Sequence, residues 1–200
     1  MPRRIPAMRA LHVLLALATA LLSLPASAAD RFKIDPTHSS FGFLIGHLGY
    51  AQVLGRFGEF EGEFSFSQTD IAANTIRLSI KSASIDTNLK ARDDHLRSPD
   101  FFNAAEFPAL HFVSTRVEKS GEMSGKVTGN LTLLGVTKPV TLDVTFNKAA
   151  PHPLPRYNQV LTSGFSVRGT IKRSDWGMKY GLPGLSDDVQ LIIEIEGHKI

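Results

Sequence analysis

Residues 59–66 read Glu59-Phe60-Glu61-Gly62-Glu63-Phe64-Ser65-Phe66. Phe60, Gly62, Phe64 and Phe66 fall on one side and Glu59, Glu61, Glu63 and Ser65 on the other, the period of two expected of a β-strand with one buried face. The three glutamates read as a solvated face. Working outward, the alternation returns in Ser39 to Ile45, where Phe41, Phe43 and Ile45 share a side, and in Thr75 to Ser84, with Ile76, Leu78 and Ile80. It returns again in Leu110 to Val117, Gly125 to Leu133, Val140 to Phe146, Ser163 to Ile171 and Val189 to Ile195. With a short opening strand at Phe32 to Asp35, this predicts about eight or nine strands whose spacing suits an antiparallel barrel or sandwich.

One segment breaks the pattern. Leu89 to Leu96 reads as a short helix with Leu89 and Leu96 on one side, and Ser98-Pro99-Asp100 carries the N-cap, first-turn proline and acid that restart a helix. A helical cap across part of a β-structure is the expectation. Pro151-His152-Pro153-Leu154-Pro155 reads as a stiff loop between strands. No repeat or linker divides the chain, so one domain is expected over 29–200.

Residues 1–28 read as a signal peptide. Arg3, Arg4 and Arg9 precede an almost wholly apolar stretch, Leu11 to Leu24, and Pro25-Ala26-Ser27-Ala28-Ala29 supplies the small residues of a cleavage site. That stretch of about 14 residues is short of the roughly 20 that span a bilayer, and no later stretch is longer, so stable membrane insertion is not expected. No Cys follows for a lipid anchor, and ordinary secretion is preferred over the twin-arginine route that Arg3-Arg4 suggests. Without Met1 to Ala28, the 22 Lys and Arg fall to 19, equal to the 19 Asp and Glu. The basic surplus belongs to the leader, and a nucleic-acid partner is not expected. The lack of Cys excludes thiol chemistry and thiolate metal sites. Asn130-Leu131-Thr132 fits a glycosylation sequon but lies within a strand pattern, and it reads as chance.

Several motifs together carry a resemblance. They are Ile45-Gly46-His47-Leu48-Gly49-Tyr50, Gly55-Arg56-Phe57, Phe60-Glu61-Gly62, Asp86-Thr87-Asn88, the run from Arg92 to Phe102, the run from Leu131 to Val140, Arg173-Ser174-Asp175-Trp176-Gly177, and the strand from Val189. In this order, over nearly the whole chain after the leader, they resemble the YceI family, departing at Trp176, where another large apolar residue is expected. The resemblance implies an all-β fold: an extended, lipocalin-like antiparallel β-barrel of about eight strands with a short helical cap. It also implies export to the bacterial periplasm and an elongated apolar cavity. The ligand would be a long-chain lipid such as a polyisoprenoid, an isoprenoid quinone or a fatty amide. No cofactor beyond that lipid and no catalytic activity follow from it. Transient contact with a membrane is compatible with such a role, and a homodimer stays open.

An eight-stranded barrel is just wide enough to be filled by side chains or to hold one small ligand. Gly62, Gly125, Gly129 and Gly169 on the apolar faces either open a slot or serve curvature alone. If a slot exists, its expected lining is Phe41, Phe43, Phe60, Phe64, Phe66, Leu78, Ile80, Phe112, Val127, Leu131, Val144, Phe146, Phe165, Val167, Trp176, Leu191 and Ile193. Arg92 and His95, with His38 and His47, are the candidates to meet a head group, since a guanidinium offers a fork of donors to phosphate or carbonyl oxygen. The plainer reading has Arg92, Asp93, Asp94 and His95 solvating a short helix, with Asp93 and Arg97 as an i,i+4 pair, and the histidines bonded to nearby backbone. Arg173 and Asp175 read as turn chemistry at a strand end, where Trp176 would fix the barrel end or cover the slot.

No metal site is expected. Asp93 and His95 point to different sides of a helix, and no third ligand has suggestive spacing. Two other function classes remain. A filled barrel acting as a protein-interaction module would show an exposed apolar patch. A hydrolase would need a nucleophile beside a base, and the adjacent pairing His38-Ser39 faces opposite sides of a strand. No nucleophile-elbow or zinc-protease motif is present.

Overall fold

The computed structural model describes residues 29–200, so the expected leader and its cleavage site lie outside the described residues. The chain forms β1 (Asp30–Ile34), β2 (Ser40–His47), β3 (Ala51–Phe57), β4 (Phe60–Phe66), β5 (Thr75–Lys81), β6 (Ile85–Asp86), α1 (Lys90–Leu96), β7 (Ala109–Lys119), β8 (Ser124–Leu133), β9 (Val136–Pro151), β10 (Leu161–Lys172) and β11 (Leu185–Lys199). All pairings between strands are antiparallel, and eight strands close a ring in the order β1, β4, β5, β7, β8, β9, β10, β11 and back to β1.

Closure depends on β11 changing partners along its length. Its first part pairs with β2 from Leu185↔His47 to Glu194↔Ser40, and its last residues pair with β1 at Gly197↔Ile34 and Lys199↔Phe32. β2 is followed outward by β3 and then β6, which follows β5 after one 3-10 turn. The wall is thus carried by β1 and β4 at one end and by β2, β3 and β6 at the other. Register shifts at Gly164/Phe165 and Ser114/Arg116 supply the bends that closing a sheet requires.

The expected alternation is present: Phe64 is buried between exposed Glu61 and Glu63 on one side of the sequence and the half-buried Ser65 on the other. Glu63 pairs with Arg31 and Glu59 with Lys81 on the outer surface. Two buried clusters form. One gathers Phe32, Ile34, Phe41, Phe64, Leu142, Val167 and Ile195; the other gathers Phe101, Leu110, Leu133, Trp176 and Met178 near the helix.

The cap departs from expectation in three ways. The helix starts at Lys90, with Leu89 as an exposed N-cap residue that does not share Leu96's packing. Ser98 initiates a turn, its Oγ accepting the Asp100 amide at 3.3 Å, and no second helix follows because the chain folds straight back, with the Phe102 amide on the Leu96 carbonyl. Asp93 does not pair with Arg97. It is buried and accepts the Thr87 amide at 2.8 Å and the Thr87 hydroxyl at 2.5 Å, while Arg97 reaches the Ala83 and Ile85 carbonyls and Asp94. A seven-residue helix is marginal alone, and these tertiary bonds hold it.

Candidate functional site

The barrel encloses a cavity of about 720 Å³. Fifteen of the apolar positions expected to line a slot border it: Phe41, Phe43, Phe64, Phe66, Leu78, Ile80, Phe112, Val127, Leu131, Val144, Phe146, Phe165, Val167, Leu191 and Ile193. The cavity borders members of both buried clusters, so the barrel is lined by its core without being filled by it.

The glycines act differently from expectation. A side chain at Gly129 would meet the Phe112 ring and Val113 carbonyl, one at Gly169 would meet Leu142, and one at Gly62 would lie 2.5 Å from the Arg77 carbonyl. Gly125 is likewise pressed by the Glu118 carbonyl at 2.7 Å. These positions do not leave empty notches. They let neighbouring backbone and side chains lie against the wall, and at Gly129 and Gly169 that draws bulk away from the axis.

Polar groups gather at the cavity's two ends. At the helix end the wall includes His47, Arg92, His95, Arg173 and Tyr180; at the other it includes Gln68, Lys119, Glu122 and Lys126. Arg92 is anchored by Thr87, donating from Nε to the hydroxyl at 2.7 Å and from Nη2 to the carbonyl at 2.6 Å. His95 bonds Asp100 at 2.8 Å and stands edge-on to Phe101 and Tyr180. Arg173, 2% exposed, donates to the carbonyls of Ser186, Met178 and Leu185 at 2.8, 3.1 and 3.1 Å. Burial pushes its guanidinium's proton affinity down, the nearby Asp187 carboxylate opposes that, and the three carbonyls satisfy its donors. The Ser174 amide, at 2.9 Å, holds the Asp187 carboxyl below the usual carboxylate range.

Three expected site residues lie elsewhere. Phe60 packs against the first buried cluster behind Phe41, its ring 4.4 Å from that of Phe41, and does not reach the cavity. Trp176, 3% exposed, neither lines nor covers the cavity; its Nε1 donates to the Leu131 carbonyl at 3.1 Å and ties the β10–β11 connection to β8. His38 lies outside the cavity, bonded to Asp35 at 2.5 Å, because the β1–β2 turn packs on the outer face of β11. Conversely, Arg173, Val53, Phe57 and Tyr180 border the cavity and were not expected to. Val53 and Phe57 share the inner face with buried Gly55 and alternate with exposed Gln52, Leu54 and Arg56, but apolar Leu54 on the outer face hides that alternation in the sequence.

A family model described as a YceI-like domain matches residues 32–197. A UPF0312 protein of Photorhabdus laumondii is 43% identical over 179 residues, 88% of this chain and 91% of that protein. The crystal structure of a Campylobacter jejuni YceI protein superposes with a TM-score of 0.67 at 32% identity, covering 78% of this chain and 90% of that one. A polyisoprenoid binding domain from Saccharophagus degradans shares the fold, with a TM-score of 0.63 at 16% identity over 86% of this chain and 99% of that domain.

Proposed function

The chain belongs to the YceI-like domain family, and from that premise we propose that it is a periplasmic lipid-binding protein, not an enzyme, that holds one long-chain isoprenoid-type lipid for carriage, storage or sequestration. The observation that carries this reading is the apolar cavity of about 720 Å³ bordered at one end by Arg92, His47 and His95. The naming of a fold relative as a polyisoprenoid binding domain supports it. Apolar burial is worth about 25 cal/mol per Å², so a tail burying several hundred Å² gains on the order of 10 kcal/mol before ordering costs. Such a ligand needs few polar contacts. The polar end receives the head group, with Arg92 as the donor fork and His47 and His95 beside it.

Loading fits the helix end. Leu48 and Tyr50 on the β2–β3 turn, Leu89 before α1, and Tyr180 on the β10–β11 connection are 56%, 89%, 52% and 49% exposed. Aromatic and leucine side chains at a cavity mouth suit transient contact with a bilayer surface, where an amphipathic ring is half solvated. The test is to express the protein in a Gram-negative host, fractionate the cells, purify it without detergent, and identify co-purifying molecules by native and denaturing mass spectrometry. A stoichiometric long-chain lipid on periplasmic protein is expected. A protein that arrives empty and takes up no added polyprenol or quinone overturns the reading in favour of a protein-interaction module.

A further inference from the structure

Glu196 and His198 stand two apart on β11 and so share a face, the one opposite to the lumen that Ile195 borders. The β9–β10 loop brings His152 to them, and the β1–β2 turn brings Asp35 and His38. Three imidazole nitrogens then surround one carboxylate oxygen: His198 Nε2 lies 3.3 Å, His152 Nε2 3.8 Å and His38 Nδ1 3.8 Å from Glu196 Oε1. At 3.8 Å a nitrogen is beyond hydrogen-bond reach of that oxygen. His198 at 3.3 Å makes a hydrogen bond to it and already stands at the roughly 3.3–3.5 Å that separates two ligands of a tetrahedral zinc, and the two nitrogens at 3.8 Å need close by only a few tenths of an ångström.

We infer that His152, His198 and Glu196, whose ligand atoms all lie within 4.8 Å of one another, form a site for a divalent transition-metal ion of the class that prefers imidazole, zinc among them, with His38 joining only once it leaves the neighbouring group it makes with Asp35 and Glu196. The site is distinct from the lipid cavity and lies across the sheet from it. Its surroundings are partly built: the Tyr157 ring packs 3.9 Å from His152 and 5.1 Å from His198, fixing both ring positions. Two adjustments accompany binding. A metal on His152 Nε2 puts that ring's proton on Nδ1 and ends its 3.2 Å contact with the Leu154 amide, which lies in an exposed loop where water replaces it. His38 must turn from Asp35, which now holds it at 2.5 Å, and is therefore the weakest ligand of the four. Once bound, the ion clasps the β1–β2 turn and the β9–β10 loop to β11.

The test uses the tag-free protein and zinc alone. Calorimetry is expected to give one ion per chain, and zinc absorption spectroscopy of that complex two or three imidazole nitrogens at about 2.0–2.1 Å. Zinc raises the melting temperature, because an ion bound by the folded chain alone stabilises it. H152A and H198A each weaken uptake by at least the ~10–100-fold that loss of an outer-shell partner costs. H38A weakens it less, and H111A not at all. Wild-type uptake by an H152A/H198A double variant whose melting curve shows it folded overturns the site. So does a wild-type complex with fewer than two imidazoles, or no uptake at millimolar zinc.

Discussion

The ring of Phe43 occupies the space in which Gly55, its register partner on β3, would carry a side chain. Phe112 does the same over Gly129, and Phe64 over Gly197. Rings laid on glycines line the lumen without crossing it, a device that also shields the bare backbone of the glycine strand. A methyl at position 55 would lie 2.7 Å from Phe43 Cε1, so the ring must swing away. Gly55→Ala is expected to cost about 1–3 kcal/mol by overpacking and to reduce lipid occupancy. Urea midpoints and native mass spectrometry check both, and unchanged values would mean that the ring sidesteps at no cost.

Leu131 and Phe64 both face the lumen but differ in depth. Phe64 is 6% exposed and stacks on Phe32 at 5.0 Å, whereas Leu131 is half-buried on the wall. Leu131→Asp is expected to fold and to weaken lipid uptake tenfold or more, since burying a leucine against a ligand is worth about 1.5–3 kcal/mol. Phe64→Asp puts an unpartnered carboxylate into the cluster and is expected to prevent folding. Wild-type affinity in folded L131D would remove Leu131 from the site.

Much of the barrel was legible because a period of two reports which face of a strand a residue occupies. It does not report how far along the axis the residue sits. Phe60 shares the face of Phe64 and Phe66, yet it lies behind Phe41. β3 escaped because Leu54, 63% exposed, puts an apolar residue on the outer face while Gly55 puts none on the inner one, which blurs the alternation. The cap was misread at Ser98, whose local signals suit a helix start or a turn equally, and tertiary bonds chose the turn. Trp176 illustrates a further limit: its size marked it for the cavity, but its Nε1 had a backbone partner that sequence could not place. The outer cluster at Glu196 joins three segments far apart in the chain, and no metal site was expected there because only the fold brings them together.

Arg92 donates to Thr87 through Nε and Nη2, which leaves Nη1 for a head group. Arg92→Ala is expected to weaken binding of a phosphorylated isoprenoid about tenfold or more, as a charge-assisted hydrogen bond is worth roughly 1.5–3 kcal/mol, and to change binding of the neutral alcohol much less. Competition assays with the two lipids decide it. Equal losses for both would mean that Arg92 acts through the cap alone.

Ser163 is fully buried on β10, and its hydroxyl has no hydrogen-bond partner among the described residues. Ser163→Ala is expected to stabilise the protein by about 1 kcal/mol, because the unpaired hydroxyl's desolvation penalty disappears while the small volume is nearly kept. A lowered urea midpoint would reveal a partner that the fold conceals.

The switch of partners along β11 also sets an order of events. Because β1, β2 and β10 all await residues 185–199, each is synthesised with an edge that stays bare until the last strand of the barrel is supplied. The ring cannot shut progressively as hairpins form; it shuts in one long-range step, the kind that slows folding most. During that interval the greasy lining is open along its whole length, and whatever holds the nascent chain must shield a surface that the finished molecule reserves for its lipid.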